Sequence, residues 1–226
     1  MFQTTRLFVL LLLLGSISFL SIKAQTGRDL SDLKALYAEC DIEEYISFGL
    51  FETAVKGKQK IKGLKQPDLI TIIDFSKPST ELRLFVIDLK EKQLKIKSLV
   101  AHGKNSGGNY ARAFSNQSQS LKSSLGFYKT AETYRGKHGY SLRLDGLEKG
   151  INSNSRKRAI VIHGASYVSH DFARKHGRLG RSWGCPALPL ESTKTIIDLI
   201  KGGSCLFIYA SDQHYLSHSD YIPKKQ

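Results

Sequence analysis

At Pro67 the hydrophobic period of this 226-residue chain changes, and that change limits the folds open to it. Upstream, Leu30, Leu33 and Leu36 in "DLSDLKALYAEC" recur every three residues, the spacing of one helix face, with Asp29 or Ser31 suited to cap the start. "EEYISFGLFETAV" continues the helical pattern. Downstream, "LITIIDF", "LRLFVIDL" and "QLKIKSLVAH" are rich in branched residues and read as strands, the last two joined into a hairpin by "KEKQ". "LGFYKT", "YSLRL", "AIVIHG" and "CLFIYA" read as further strands. "STKTIIDLIKGG" returns to helical spacing, with Thr193, Ile196, Ile197 and Ile200 on one face and Gly202 as a stop. Helices first and strands after give a mainly β (α+β) fold. We expect two mixed sheets forming a sandwich or flattened barrel, an N-terminal helical layer and one C-terminal helix.

The first residues, "MFQTTRLFVLLLLLGSISFLSIKAQTG", place Arg6 before an apolar run from Leu7 to Ile22, with Ala24 where cleavage could follow. That is the layout of a secretory signal peptide. The run is shorter than the roughly 20 residues that span a bilayer, so cleavage is the expectation and a retained anchor the alternative. The chain then divides into a leader (1–24), an N-terminal helical segment (25–66), a catalytic-sized domain (67–212) and a C-terminal tail (213–226). An exported protein, in the periplasm or cell envelope, is expected, touching a membrane only through an uncleaved leader.

The formal charge is +14, and loss of Arg6 and Lys23 with the leader leaves +12. Such a surface favours anionic partners, among them a wall polymer carrying carboxylates. Nucleic acid is not expected. Export argues against it, and the basic residues in "KGKQKIKGLK", "LKEKQLKIK" and "NSRKR" lack the interleaved aromatics that stack on bases. A solvated surface that keeps the protein dispersed is the plainer reading of the same charge.

Three cysteines survive leader removal, and in an oxidising compartment an odd one is a candidate reactive thiol. Cys40 lies in helical "LKALYAECD" and Cys205 in strand-like "SCLFIYA", which leaves them as a disulfide or as two inert core thiols. Cys185 differs, because "GRSWGCPALP" sets it after a glycine and before a proline. Thiolate chemistry needs a base for the proton and donors for a developing oxyanion. His163, at the mouth of the strand "AIVIHG", supplies the first. The Gly184 and Cys185 amides supply the second, since Pro186 has no N–H. A paired imidazole lowers a cysteine pKa from about 8.5 far enough to populate thiolate near neutrality.

"IVIHGA", followed 22 positions after its histidine by "SWGC", resembles the signature of the YkuD-type murein L,D-transpeptidases. The blocks "HGKNSGG", "SSLGFY", "GKHGYSLRLDGLEKG" and "GRLGRSWGCPALP" extend the resemblance over roughly residues 70–210. It implies Cys185 as nucleophile and His163 as base, with Ser182 the nearest candidate for the main-chain carbonyl that orients the imidazole. The implied reaction is attack on a peptidoglycan stem tetrapeptide at its L-to-D bond, release of D-alanine, and acyl transfer to a neighbouring amine, with no cofactor. Water as acceptor would make the enzyme an L,D-carboxypeptidase. The chain departs from the broad family pattern where Ala187 occupies the position of a common arginine. Carboxylate recognition then falls to other groups, for which Arg178 and Arg181 are the candidates.

Other residues carry weaker readings. Trp183 either roofs the cleft or packs in a core, and His102, ending a strand beside glycines, is a candidate for the cleft wall. His138 reads as a loop residue. His170 and His176 match no compact zinc spacing, so no metal site is expected. Charge alone would also suit a non-catalytic wall-binding module, and the cysteine would suit a thiol peptidase cutting all-L peptides.

Overall fold

The computed structural model describes residues 29–223. The leader reading falls outside that range. No helix among the described residues is long and apolar enough to cross a membrane.

Helix α1 covers residues 29–39 and α2 covers Phe48–Gln59. The expected continuous helix is broken between them, because Asp41 takes a left-handed backbone (φ 52°) and the Ser47 hydroxyl caps α2 by accepting from Leu50 N. Then come β1 (Gln66–Asp74), β2 (Leu84–Asp88) and β3 (Gln93–Ser98). After a long polar loop containing a short 3₁₀ turn at Lys104–Ser106 follow β4 (Gly126–Gly136), β5 (Gly139–Gly146) and β6 (Val161–Gly164). The order finishes with α3 (His170–His176), β7 (Ala187–Leu188), α4 (Leu190–Ile200), β8 (Ser204–Tyr209) and α5 (Gln213–His218).

The eight strands form one sheet in the order β3-β2-β1-β8-β4-β5-β6-β7, where two sheets were expected. β1 runs parallel to β8 and β6 parallel to β7, and the other neighbours are antiparallel. The far edges meet. Ala187 of β7 bridges Ala101, just beyond β3, with Ala101 N donating to Ala187 O at 2.8 Å. The sheet is therefore nearly closed into a barrel, which leaves short edges and so little unpaired backbone.

Burial explains the strand order. β1 is buried from Leu69 through Asp74 and β8 from Ser204 through Ile208, as central strands covered on both faces require. β3 instead alternates, with Gln93, Lys95 and Lys97 exposed and Leu94 and Ile96 partly covered, the pattern of a lysine-protected edge. Phe127 of β4 stacks on Phe207 of β8 at 4.1 Å between ring centroids. α2 lies flush against this pair, because a Cβ on Gly57 would come within 2.1 Å of the Phe127 ring. α4 packs on β5 and β6 through Thr193, Ile196, Ile197 and Ile200, all buried. Each such aliphatic side chain contributes about 1.5–3 kcal/mol of burial.

Two helices were not anticipated. α3 is capped at both ends, by the Ser169 hydroxyl and by left-handed Gly177 (φ 66°). α5 forms in the stretch read as a tail, where the Asp212 side chain caps it and Tyr215 is buried against the core. Its anchor is Glu148, a buried carboxylate that accepts from Phe127 N, Tyr215 OH and Ser219 Oγ.

Candidate active site

β6 is four residues long, pairs with β5 through Ser141↔His163 and with β7 through His163↔Ala187. Cys185 stands two residues before His163's register partner. At about 3.3 Å per strand residue, that register brings the cysteine loop alongside the histidine. Both side chains line one cleft of about 470 Å³, together with Tyr134, Lys137, His138 and Arg158, and with Trp183 at its rim. Among the described residues no carboxylate lines it.

The cysteine loop is shaped by Gly184. Its φ of 127° lies in the region that glycine alone adopts without strain, and a Cβ there would meet Lys122 O at 2.8 Å. Ser182 fixes the turn, its hydroxyl accepting from Gly184 N at 3.0 Å and donating to Cys185 O at 2.6 Å. The long polar loop braces it from outside, with Lys104 N donating to Ser182 O at 2.7 Å and Ser123 Oγ to Gly184 O at 3.0 Å.

These bonds revise two expectations. The Gly184 amide is engaged by Ser182, whereas the Cys185 amide has no partner among the described residues. The carbonyl that meets His163 is that of Gly164, 3.0 Å from Nδ1, while the Ser182 carbonyl accepts from Lys104 N of the long polar loop. A carbonyl only accepts, so Nδ1 carries the proton in the neutral ring and Nε2 is left as the basic nitrogen. His163 is 3 % exposed, and burial, ahead of the neighbouring His138, holds its pKa below 6.5.

Cys185 is half-buried, and its thiol donates to Ala159 O at 3.6 Å. Burial raises its pKa, while the Val161 amide and the Arg158 guanidinium act against that rise. Both members of the pair therefore favour their neutral forms at rest. A neutral imidazole is able to accept the thiol proton when an electrophile arrives. Cys40 and Cys205 are unbonded and buried, their thiols pushed up by desolvation to about 11 and about 12.

The remaining candidates divide. Arg181 lines the cleft, with one Nη donating to Gly107 O at 3.0 Å and its other nitrogens free of partners among the described residues. Arg178 does not line it. The turn at Gly177 directs its guanidinium to Leu179 O, 2.9 Å away. Trp183 is 70 % exposed with Lys137 Nζ 5.2 Å from its ring, so it stands at the rim and outside the core. His138, read as a loop residue, stacks on His163 at 4.5 Å from the tip of the β4–β5 hairpin. Arg158, five residues before His163 in "RKRAIVIH", went unread. Its only sequence signal was a basic residue entering the histidine strand.

His102 sits beneath the cleft and does not line it. Its carbonyl accepts from Ser182 N, and its ring is 1 % exposed with Nδ1 2.9 Å from Arg83 Nη2. A guanidinium only donates, so Nδ1 must accept, and burial followed by the Arg83 charge lowers the His102 pKa to about 4. The unfolded chain takes up this proton near pH 6.5 and the folded chain does not until about 4. Stability is therefore expected to be whole above pH 6.5 and to decline towards pH 4, by an amount of order 3 kcal/mol. Urea midpoints from pH 7 to 4 should fall more steeply for the wild type than for His102→Gln. Parallel curves would show that His102 does not carry the decline.

The family model for the L,D-transpeptidase catalytic domain matches residues 42–209, well over half of the chain. No curated protein matches the sequence. Among solved structures, an L,D-transpeptidase from Mycobacterium smegmatis is similar at 12% identity and TM-score 0.40, covering 63% of this chain and 59% of its own. L,D-transpeptidase 1 of Mycobacterium tuberculosis is similar at 12% identity and TM-score 0.36, over 63% and 61%. A helical cell shape determining protein of Campylobacter jejuni is similar at 12% and 0.40, over 64% and 48%. The chain thus spans less than two thirds of the length of these structures. On the match to its catalytic-domain model, the chain belongs to the L,D-transpeptidase catalytic-domain family.

Proposed function

We propose that this protein is an exported cysteine acyltransferase that forms L,D-crosslinks between peptidoglycan stem peptides through a Cys185 thioacyl-enzyme. The observation that carries the reading is one cleft that holds a half-buried thiol, a neutral imidazole whose Nε2 is left basic, and cationic side chains with no carboxylate among them. Stem peptides carry free carboxylates, and a cleft lined by Lys137 and Arg181 attracts them.

The hydrogen bonds described above support the following steps. His163 Nε2 takes the Cys185 proton as the sulfur attacks the carbonyl of the residue preceding D-alanine. The oxyanion accepts from the Cys185 amide, since the Gly184 amide is held by Ser182. The tetrahedral intermediate collapses with the C–N bond breaking. The imidazolium returns its proton to the departing D-alanine amine, leaving a thioester. An acceptor amine then attacks the thioester and yields a proton to His163. The new amide forms and the thiol is restored. The Gly164 carbonyl keeps Nδ1 protonated throughout, so Nε2 serves in both directions.

Incubation of the protein with a purified stem tetrapeptide is expected to release D-alanine and to produce a crosslinked dimer. D-alanine with no dimer would identify water as the acceptor. Cleavage of an all-L peptide with no action on the tetrapeptide would overturn the reading in favour of a general thiol peptidase.

A further inference from the structure

Arg158 carries a charge that no acid neutralises. No Asp or Glu lies within ion-pairing distance of it among the described residues, whereas its neighbour Arg156 is bound to Glu132 and Asp145. Its guanidinium is instead spread over four neutral acceptors. One Nη donates to Ser115 O at 2.5 Å and to Ser124 Oγ, and the other to Lys122 O at 2.5 Å and Ser120 Oγ at 3.2 Å. All four acceptors belong to one loop, residues 115–124. On its other side the second Nη lies 3.3 Å from where a Cβ of Gly184 would stand. The carbonyl of the residue that follows, Ala159, accepts a hydrogen bond from the Cys185 thiol.

We propose that Arg158 is a positioning residue for the nucleophile, clamping the 115–124 loop against Gly184 and setting an uncompensated positive charge beside Cys185. Its four Nη protons are already donated within the protein, and only its Nε–H is without a partner among the described residues. Arg181 differs in keeping Nε and one whole Nη without partners among the described residues. The charge favours the thiolate as the proton leaves for His163, and the clamp fixes the wall against which Gly184 turns.

The proposal rests on Cys185 being the reactive thiol, and its test reads that thiol without any peptidoglycan substrate. The other groups facing the sulfur's cleft are His163 of β6, His138 and Lys137 of the β4–β5 turn, Tyr134 of β4, Tyr167 after β6, and Arg181 of the cysteine loop. Because several of them titrate, the comparison is between variants over one pH range. The rate of Cys185 alkylation by iodoacetamide, located by peptide mapping, is measured from pH 6 to 11 for the wild type, Arg158→Lys and Arg158→Gln, alongside hydrogen exchange of residues 115–124.

Arg158→Gln is expected to move the alkylation midpoint up by about one pH unit, the low end of the roughly 1–3 units that a neighbouring opposite charge is worth. Arg158→Lys should keep the midpoint near that of the wild type. It should also lose exchange protection in the loop, because an ammonium cannot serve four acceptors at once. Equal midpoints in all three proteins would overturn the charge role, and unchanged protection in Arg158→Lys would overturn the clamp. If Arg158→Gln does not fold, Arg158→Lys decides alone: a shifted midpoint with an intact loop contradicts the proposal. Absence of stem-peptide activity with a responsive midpoint would count against the proposed function and leave this assignment standing.

Discussion

Cys185→Ala is expected to reduce D-alanine release from a stem tetrapeptide by about 10⁴-fold or more, since the covalent route vanishes and only binding and the remaining donors act. The fold should be nearly unaffected. The thiol is half-buried and makes one weak hydrogen bond, to Ala159 O, so its loss removes little packing. The melting temperature of the variant should stay within a few degrees of the wild type while its activity disappears. Retained activity would show that the sulfur is not the nucleophile. A collapse in stability would show that it is a core residue.

His163→Gln is expected to cost about 10²–10⁴-fold, the range for a positioned general base. It should also remove the acid limb of the pH profile. Burial holds the His163 pKa below 6.5, so the neutral imidazole is the major form at pH 6.5. The acid limb of kcat/KM should therefore be centred below that pH. The alkaline side is governed by a thiol raised by burial, which places its change above the ordinary cysteine range. An acid limb centred above pH 6.5, or one that survives in His163→Gln, would assign the base to another group. His138, stacked on the same ring, is the first to test.

The strands and the Cys185–His163 pairing were legible in the sequence because each left a local mark. Branched runs bounded by turn residues marked β1, β2 and β8, and a glycine-flanked cysteine with a strand-ending histidine marked two side chains that line one cleft. Strand order was not legible, because β1 and β8 are buried on both faces and a continuous apolar run does not name its neighbour. The roles of Ser182 and Gly184 depended on which group reached which. A serine two residues before a glycine can cap, turn or orient, and only the folded loop shows its hydroxyl between Gly184 N and Cys185 O. Arg158 was hidden for a related reason. In a chain with 34 basic residues, one arginine in "NSRKR" looks like solvated surface until its partners are seen to be four neutral groups of one loop.

The measurement that reaches the central claim most directly is the intact mass of the protein after exposure to a carbapenem, followed by peptide mapping. The three thiols provide an internal contrast, since Cys40 and Cys205 are buried and held at about 11 and about 12 while Cys185 opens to the cleft. The account predicts a single adduct, on Cys185, that is absent from Cys185→Ala. No adduct on the folded wild type, or one carried by Cys40 or Cys205, would contradict it.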